Sequence, residues 1–286
     1  MSIIPVPKPK PFYVVNSNTK AALDYVTEAT NRGENINVLV RGNTGSGKSA
    51  LPREYAAKMK RPFATVEVGL MSDPSQIFGS MALRERNGIS ETVWIPGLFT
   101  RALETENCVI HLQEINRIES DKVLNAVFSI LDESQRQLWI DDREDFVTVA
   151  KGVSFFASMN EGYEFIGTMT LDSALEDRFP VKLTLDYLPA EQEERLLTIQ
   201  AGLLSEKARE LVGLINSMRN NAQNPAKIST RNAIEIAKLI KHGLSYQRAF
   251  TLALGGNNET LERILLNMQL MGNWEDMEAE SWSMLL

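Results

Sequence analysis

Gly42-Asn43-Thr44-Gly45-Ser46-Gly47-Lys48-Ser49 fits the pattern G-x-x-x-x-G-K-[ST] at every fixed position. The octet follows the apolar run Ile36, Val38, Leu39 and Val40, which reads as a short buried strand. It precedes a helical stretch through Tyr55, Ala56, Ala57 and Met59. Strand, glycine-rich turn and helix in that order place consecutive backbone N–H groups and a helix N-terminus around one anion. The expectation is a phosphate-binding loop in which Gly42, Asn43, Thr44, Gly45, Ser46 and Gly47 cradle ATP phosphates. Lys48 contacts the β- and γ-phosphates, and Ser49 holds Mg²⁺. Pro52 falls in the first helical turn, where its missing N–H costs nothing.

Outward from this loop, short β-like runs alternate with helical stretches: Ile36–Arg41, Phe63–Val68, Val109–Gln113, Val153–Met159 and Val181–Leu185 are the expected strands. Strands separated by helices predict an α/β fold with a parallel sheet covered on both faces. Val123, Val127, Ile130 and Leu131 recur at helical spacing and mark a core-facing stripe. Two stretches break the alternation and read as hairpins, near 84–95 and 137–150. After Leu188-Pro189 the strand signal ends, and helices are expected over Glu191–Gln200, Glu206–Asn220, Arg231–His242, Gln247–Leu254 and Thr260–Met271.

The resulting division has four parts: a proline-rich arm over 1–16, an α/β nucleotide-binding domain over 17–188, a helical domain over 189–271 and an acidic tail over 272–286. Pro5, Pro7, Pro9 and Pro11 favour an extended arm, either disordered or laid on a neighbour. The tail, with Trp274, Trp282 and Leu285-Leu286, reads as a frayed end or as a partner-binding peptide.

Across 286 residues the chain is 43% hydrophobic and 23% charged, the balance of a globular protein with a full core. No apolar run approaches the roughly 20 residues that span a bilayer, and no basic-then-apolar leader opens the sequence, so a cytoplasmic protein without a membrane role is expected. The single cysteine, Cys108, opens an apolar strand as a small buried hydrophobe. Two histidines, His111 and His242, are too few for a histidine metal site and are given packing or surface roles. A net charge of −7 argues against nucleic-acid binding, which depends on neutralising phosphates.

A second chemical motif is Val109-Ile110-His111-Leu112-Gln113-Glu114, a buried strand ending in a carboxylate. Beside a phosphate loop, Glu114 can polarise an attacking water; otherwise it is a surface carboxylate at a strand end.

These motifs occur in a fixed order with Pro96-Gly97-Leu98-Phe99-Thr100-Arg101-Ala102-Leu103, Glu114-Ile115-Asn116-Arg117, Leu131-Asp132-Glu133, Ser158-Met159-Asn160, Gly167-Thr168, Asp177-Arg178-Phe179 and Ser229-Thr230-Arg231. Over roughly residues 30–245 the order resembles that of MoxR-type AAA+ ATPases, a clade that includes the CbbQ/NorQ activases and the cobaltochelatase ATPase subunit. The resemblance implies an AAA+ core with a helical lid, an insert hairpin near 84–95 and a second hairpin near 137–150. Asn160 matches sensor 1, Arg178 the arginine finger offered to a neighbouring subunit, and Arg231 sensor 2. Arg117 falls near the implied subunit interface without a firm role. The resemblance further implies a ring, a hexamer, that remodels or activates a protein partner, and it suggests a von Willebrand factor A domain in that partner. A metal-chelatase motor and a slowly hydrolysing nucleotide-gated scaffold are the alternatives.

One position departs from the family. Where it carries Asp before the catalytic Glu, this chain has Gln113, a neutral amide beside the implied Mg²⁺. Losing a unit charge near a divalent cation costs on the order of a few kcal/mol at an effective dielectric of about 20, so slow hydrolysis with retained nucleotide binding is expected. Gln113 still offers an acceptor oxygen to the metal's shell.

Overall fold

A computed structural model describes residues 4–86, 88–160, 173–220 and 228–254. Gly167, Thr168, the helix expected at Thr260–Met271 and the tail over 272–286 lie outside the described residues. By its internal contacts the chain divides into two compact units, one through Asp186 and one from Tyr187.

In the first unit the chain order begins α1 (Ser17–Asn31), β1 (Ile36–Gly42), α2 (Ala50–Met59) and β2 (Phe63–Glu67). A short α3 (Ser75–Phe78), the strands β3 (Gly79–Arg86) and β4 (Ile89–Pro96), and α4 (Leu98–Leu103) follow. Next come β5 (Val109–Gln113), α5 (Asp121–Leu131), β6 (Gln137–Ile140), β7 (Asp145–Thr148), β8 (Ser154–Asn160), α6 (Ser173–Glu176) and β9 (Val181–Leu185). Five strands form one parallel sheet in the order β2-β5-β8-β1-β9. The alternation of side chains decides what each face meets. Leu39, Ile110, Leu112, Phe155 and Ala157 pack on the side of α4 and α5, while Val38, Val40, Val109 and Phe156 pack on the side of α1 and α2. Both faces are covered, as a parallel sheet requires.

Two antiparallel hairpins stand apart from this sheet. The first, β3–β4, pairs Gly79 with Pro96 through Arg86 with Ile89, and so begins earlier than the stretch near 84–95 that the sequence suggested. Leu83, Arg84, Ser90 and Glu91 are all exposed, so apolar and polar residues do not alternate and its first strand is hard to read from the sequence. The second, β6–β7, pairs Gln137 with Thr148 through Ile140 with Asp145. Arg143 lies between the hairpins. Its guanidinium stacks on Trp94 of β4 at 5.2 Å and pairs with Glu104 and Asp145.

The proline-rich arm packs on its own chain, in place of the disorder or neighbour contact expected. Ile4 is buried in the core, the Pro5 carbonyl accepts the Phe63 N–H at 3.0 Å, and the Lys10 N–H donates to Glu54 Oε2 at 2.8 Å. Because β2 is an edge of the sheet, a carbonyl-bearing, donor-poor arm is a suitable cover for its start.

The second unit is helical among the described residues. Here α7 (Ala190–Leu196) runs on into a π turn, followed by α8 (Ser205–Arg219), α9 (Thr230–Lys241) and α10 (Tyr246–Leu254). Leu211, Ile215, Ile236 and Phe250 are among its fully buried residues. Glu193 and Arg219 form a buried two-point ion pair at 2.7 and 3.0 Å, and Arg219 also stacks on Tyr187 at 4.2 Å. Bidentate geometry and a ring beneath the guanidinium offset the cost of burying both charges.

Candidate active site

Parallel register brings the motif residues to one end of the sheet. Gly42, the last residue of β1, stands opposite Asn160, the last of β8, and opposite Leu185 of β9. In the next strand over, Gln113 ends β5 and Glu114 follows it. The carboxyl ends of adjacent parallel strands form the crevice where open α/β sheets bind ligands.

The loop itself depends on its glycines. Gly42 has a φ of 143°, and a Cβ there would lie 2.2 Å from the Leu185 carbonyl oxygen. Gly45 and Gly47 also have positive φ, at 74° and 95°. Ser46 Oγ is buried without a partner among the described residues. Lys48 is buried, and its Nζ donates to the carbonyls of Gly42 at 2.8 Å and Asn43 at 2.6 Å. Ser49 ends the loop at the mouth of α2, exposed and making no capping bond with its side chain.

Glu114 has a φ of 53°, in the left-handed region that a side-chain-bearing residue adopts at a cost of about 1–3 kcal/mol. That turn ends β5 and opens a single turn of 3-10 helix over Ile115–Arg117. Glu114 Oε1 accepts from Asn160 Nδ2 at 3.5 Å, and Oε2 pairs with Arg117 at 3.2 Å. Asn116, nearly buried, donates to the Asn160 carbonyl at 3.3 Å. The sequence placed Asn116 inside a motif but gave it no partner, because the contact joins the 3-10 turn after β5 to the end of β8, 44 residues on in the chain. Directly behind this end, His111 and Ser158 share a buried hydrogen bond of 2.9 Å, and burial pushes the imidazole pKa down to about 4. His111 is therefore a neutral core group. Burial likewise pushes the Cys108 thiol up to about 12, so it is an inert hydrophobe.

Arg178 follows α6 and makes its contacts within its own chain. One terminal nitrogen donates to the Ala174 carbonyl at 2.6 Å, the other to Asp132 Oδ2 at 3.1 Å, and the guanidinium lies 4.5 Å from the Phe128 ring centre. The Ser134 hydroxyl and N–H, with the Arg178 charge, hold the Asp132 carboxyl below the usual carboxylate range. Arg231 belongs to the second unit, exposed in the first turn of α9 after the Ser229/Asn232 capping box.

The residues present fit a nucleotide. Gly42 has no room for a Cβ, the loop turns on positive φ, an orphaned hydroxyl lies at Ser46, and a lysine tip stands over the loop. No group of three or more His, Cys, Asp or Glu side chains arranged to hold a metal occurs among the described residues. A magnesium ion would rely on Ser49, Gln113 and the substrate's phosphates, the sparse protein set that this ion accepts.

A family model described as the AAA domain of the dynein-related subfamily matches residues 37–179, and one for the CbbQ/NirQ/NorQ C-terminal region matches residues 193–258. The chain belongs to the MoxR and CbbQ/NorQ group of AAA+ ATPases. BssE of Thauera aromatica, named as a candidate chaperone, is 41% identical to this AAA+ protein over 270 residues, 94% of this chain and 92% of that one. NorQ of Paracoccus denitrificans is 28% identical over 246 residues, covering 85% and 86%. Among solved structures, Thermotoga maritima RuvB, titled a Holliday junction branch migration motor, superposes with a TM-score of 0.55 at 18% identity, over 93% of this chain and 72% of that one. That likeness shows the AAA+ fold. No helix among the described residues is long and apolar enough to cross a membrane.

Proposed function

We propose that this AAA+ protein assembles with copies of itself into a ring, a hexamer, binds Mg-ATP, and uses its hydrolysis to remodel or activate a partner protein in the cytoplasm. The observation that carries the reading is the meeting of Glu114 and Asn160 beside the loop, with the Glu114 carboxylate held by Asn160 and Arg117 at the ends of β5 and β8. In this reading the loop N–H groups and Lys48 bind the phosphates. Lys48 exchanges its two loop carbonyls for phosphate oxygens as it does so. Glu114 orients the attacking water and takes its proton, and Asn160 fixes both the carboxylate and that water. Arg178, from the adjoining subunit, meets the charge that develops on the transferred phosphoryl group, and Arg231 is proposed as sensor 2 on the family resemblance alone. Ser49 and Gln113 would hold the magnesium ion, which supplies charge neutralisation on the phosphates when bound.

The chaperone name of BssE supports a protein client, and a von Willebrand factor A domain in that client is proposed on the family resemblance alone. The exposed apolar residues on the hairpins, Leu83 and Ile89 on one and Trp139 and Phe146 on the other, also support a protein client. Gln113 favours a second reading, a nucleotide-gated scaffold that turns over slowly, because a neutral amide weakens the metal site. Steady-state ATP turnover, measured beside binding of a fluorescent ATP analogue, tests the proposal. Lys48→Ala is expected to lose binding; Glu114→Gln is expected to keep binding and lose turnover. Turnover unchanged in both would contradict the assignment of the site, and binding with no wild-type turnover at any Mg²⁺ concentration would select the scaffold.

A further inference from the structure

The last turn of α5 presents two side chains to Arg178. Phe128 and Asp132 are four residues apart and therefore stand on one helix face, and the Asp132 N–H closes that turn on the Phe128 carbonyl at 3.0 Å. Asp132 does not hang loose at the helix end. Its Oδ1 accepts both the Ser134 N–H at 2.9 Å and the Ser134 hydroxyl at 2.6 Å, which fixes the carboxylate plane and leaves Oδ2 for Arg178 at 3.1 Å. Below the guanidinium, the Phe128 ring at 4.5 Å supplies a flat apolar support.

The backbone of Arg178 is held from a third direction. Asn37, fully buried in β1, donates to the Arg178 carbonyl at 2.6 Å and to the Leu131 carbonyl at 2.8 Å, while Arg136 donates to Asn37 Oδ1 at 2.8 Å. One amide thus ties the end of α5 to the residue whose side chain that end receives. The Arg178 and Asp132 side chains remain 27% and 28% exposed, so the pair lies at the surface, oriented and reachable. An ion pair so exposed contributes little to stability. Its value lies in restricting a long side chain that would otherwise be ordered only when it reached its target.

We propose that Asp132, seated on Ser134 and backed by Phe128, is the positioning residue that pre-orients the Arg178 guanidinium for the nucleotide of an adjoining subunit. The inference rests on the reading of Arg178 as a group acting in trans. Asp132 touches neither nucleotide nor water itself; it sets the rotamer and presentation of the arginine that does.

The test uses the full chain with Asp132→Asn, Asp132→Glu, Arg178→Ala and the double variant carrying Asp132→Asn and Arg178→Ala. Turnover and binding of a fluorescent ATP analogue are read for each. Asp132→Asn is expected to lower kcat roughly ten-fold with unchanged nucleotide affinity, since small misplacements of a reacting group cost up to about a hundred-fold. Asp132→Glu is expected to regain most of the loss. The double variant is expected to be no slower than Arg178→Ala, because the aspartate has nothing left to position. Should Asp132→Asn lower the unfolding midpoint, Ser134→Ala removes the hydroxyl bond to Oδ1 while keeping the backbone N–H bond, and is expected to lower kcat in the same direction by a smaller factor. Full or raised turnover in Asp132→Asn, alongside a slow Arg178→Ala, would overturn the inference and leave the trans arginine standing. A double variant slower than Arg178→Ala would also overturn it. Full turnover in Arg178→Ala would remove the trans reading, and this inference with it.

Discussion

At the scale of single residues, Gln113 and His111 make opposite demands on experiment. Gln113 ends β5 level with Glu67 of β2, and it is the neutral member of the proposed magnesium shell. Restoring a charge with Gln113→Asp is expected to raise turnover several-fold or to lower the Mg²⁺ concentration at half-maximal rate, since the gain is on the order of a few kcal/mol of metal interaction before desolvation. A loss of both rate and Mg²⁺ affinity in that variant would show a site built around the amide. His111 is a stability probe. Its folded pKa lies at about 4, below the ordinary value of 6.5, so the unfolded chain takes up the proton first. Stability is therefore expected to fall as pH drops below about 6.5 and to level off near pH 4, by roughly 3 kcal/mol from this group. Urea midpoints of the wild type and His111→Gln, compared across that interval, isolate the histidine from the carboxylates. Identical pH slopes in the two proteins would contradict a neutral buried imidazole.

Gly42, Gln113, Glu114 and Asn160 could be singled out in the sequence because each lies at or just past the end of an apolar strand. Their partners could not. Asn116 to Asn160, His111 to Ser158 and Arg178 to Asp132 each join positions more than 40 residues apart in the chain, which only the folded packing brings together.

At the scale of elements, the strands of the main sheet could be read because parallel strands buried on both faces are short continuous apolar runs bounded by helices. The β3–β4 hairpin resisted, since exposed strands lose the period that marks a half-buried one. The arm resisted for a different reason: four alternating prolines specify an extended conformation but not what it lies against. Its attachment carries a prediction. Ile4 is 2% exposed within the core of the first unit. If the arm holds its place in solution, Ile4→Ala is expected to cost about 2–4 kcal/mol by the urea midpoint with the slope unchanged. A cost under about 0.5 kcal/mol would mean that the arm detaches and that the edge of β2 is covered by other means.

At the scale of the whole molecule, the proposed active site is shared between two chains. The loop, Glu114 and Asn160 converge within the first unit, whereas the Arg178 side chain is held on Asp132 and Phe128. A lone chain on this account binds ATP and hydrolyses it poorly. Complementation measures this directly. Arg178→Ala chains keep the loop and lack the finger; Lys48→Ala chains keep the finger and lack nucleotide. Each alone is expected to show little turnover. Mixed under conditions where subunits exchange, they are expected to recover a fraction of wild-type ATPase activity that rises and then falls with mixing ratio, because one chain's loop then faces the other's arginine. No recovery at any ratio, in assemblies shown to contain both chains, would contradict a shared site and leave Arg178 acting within its own subunit.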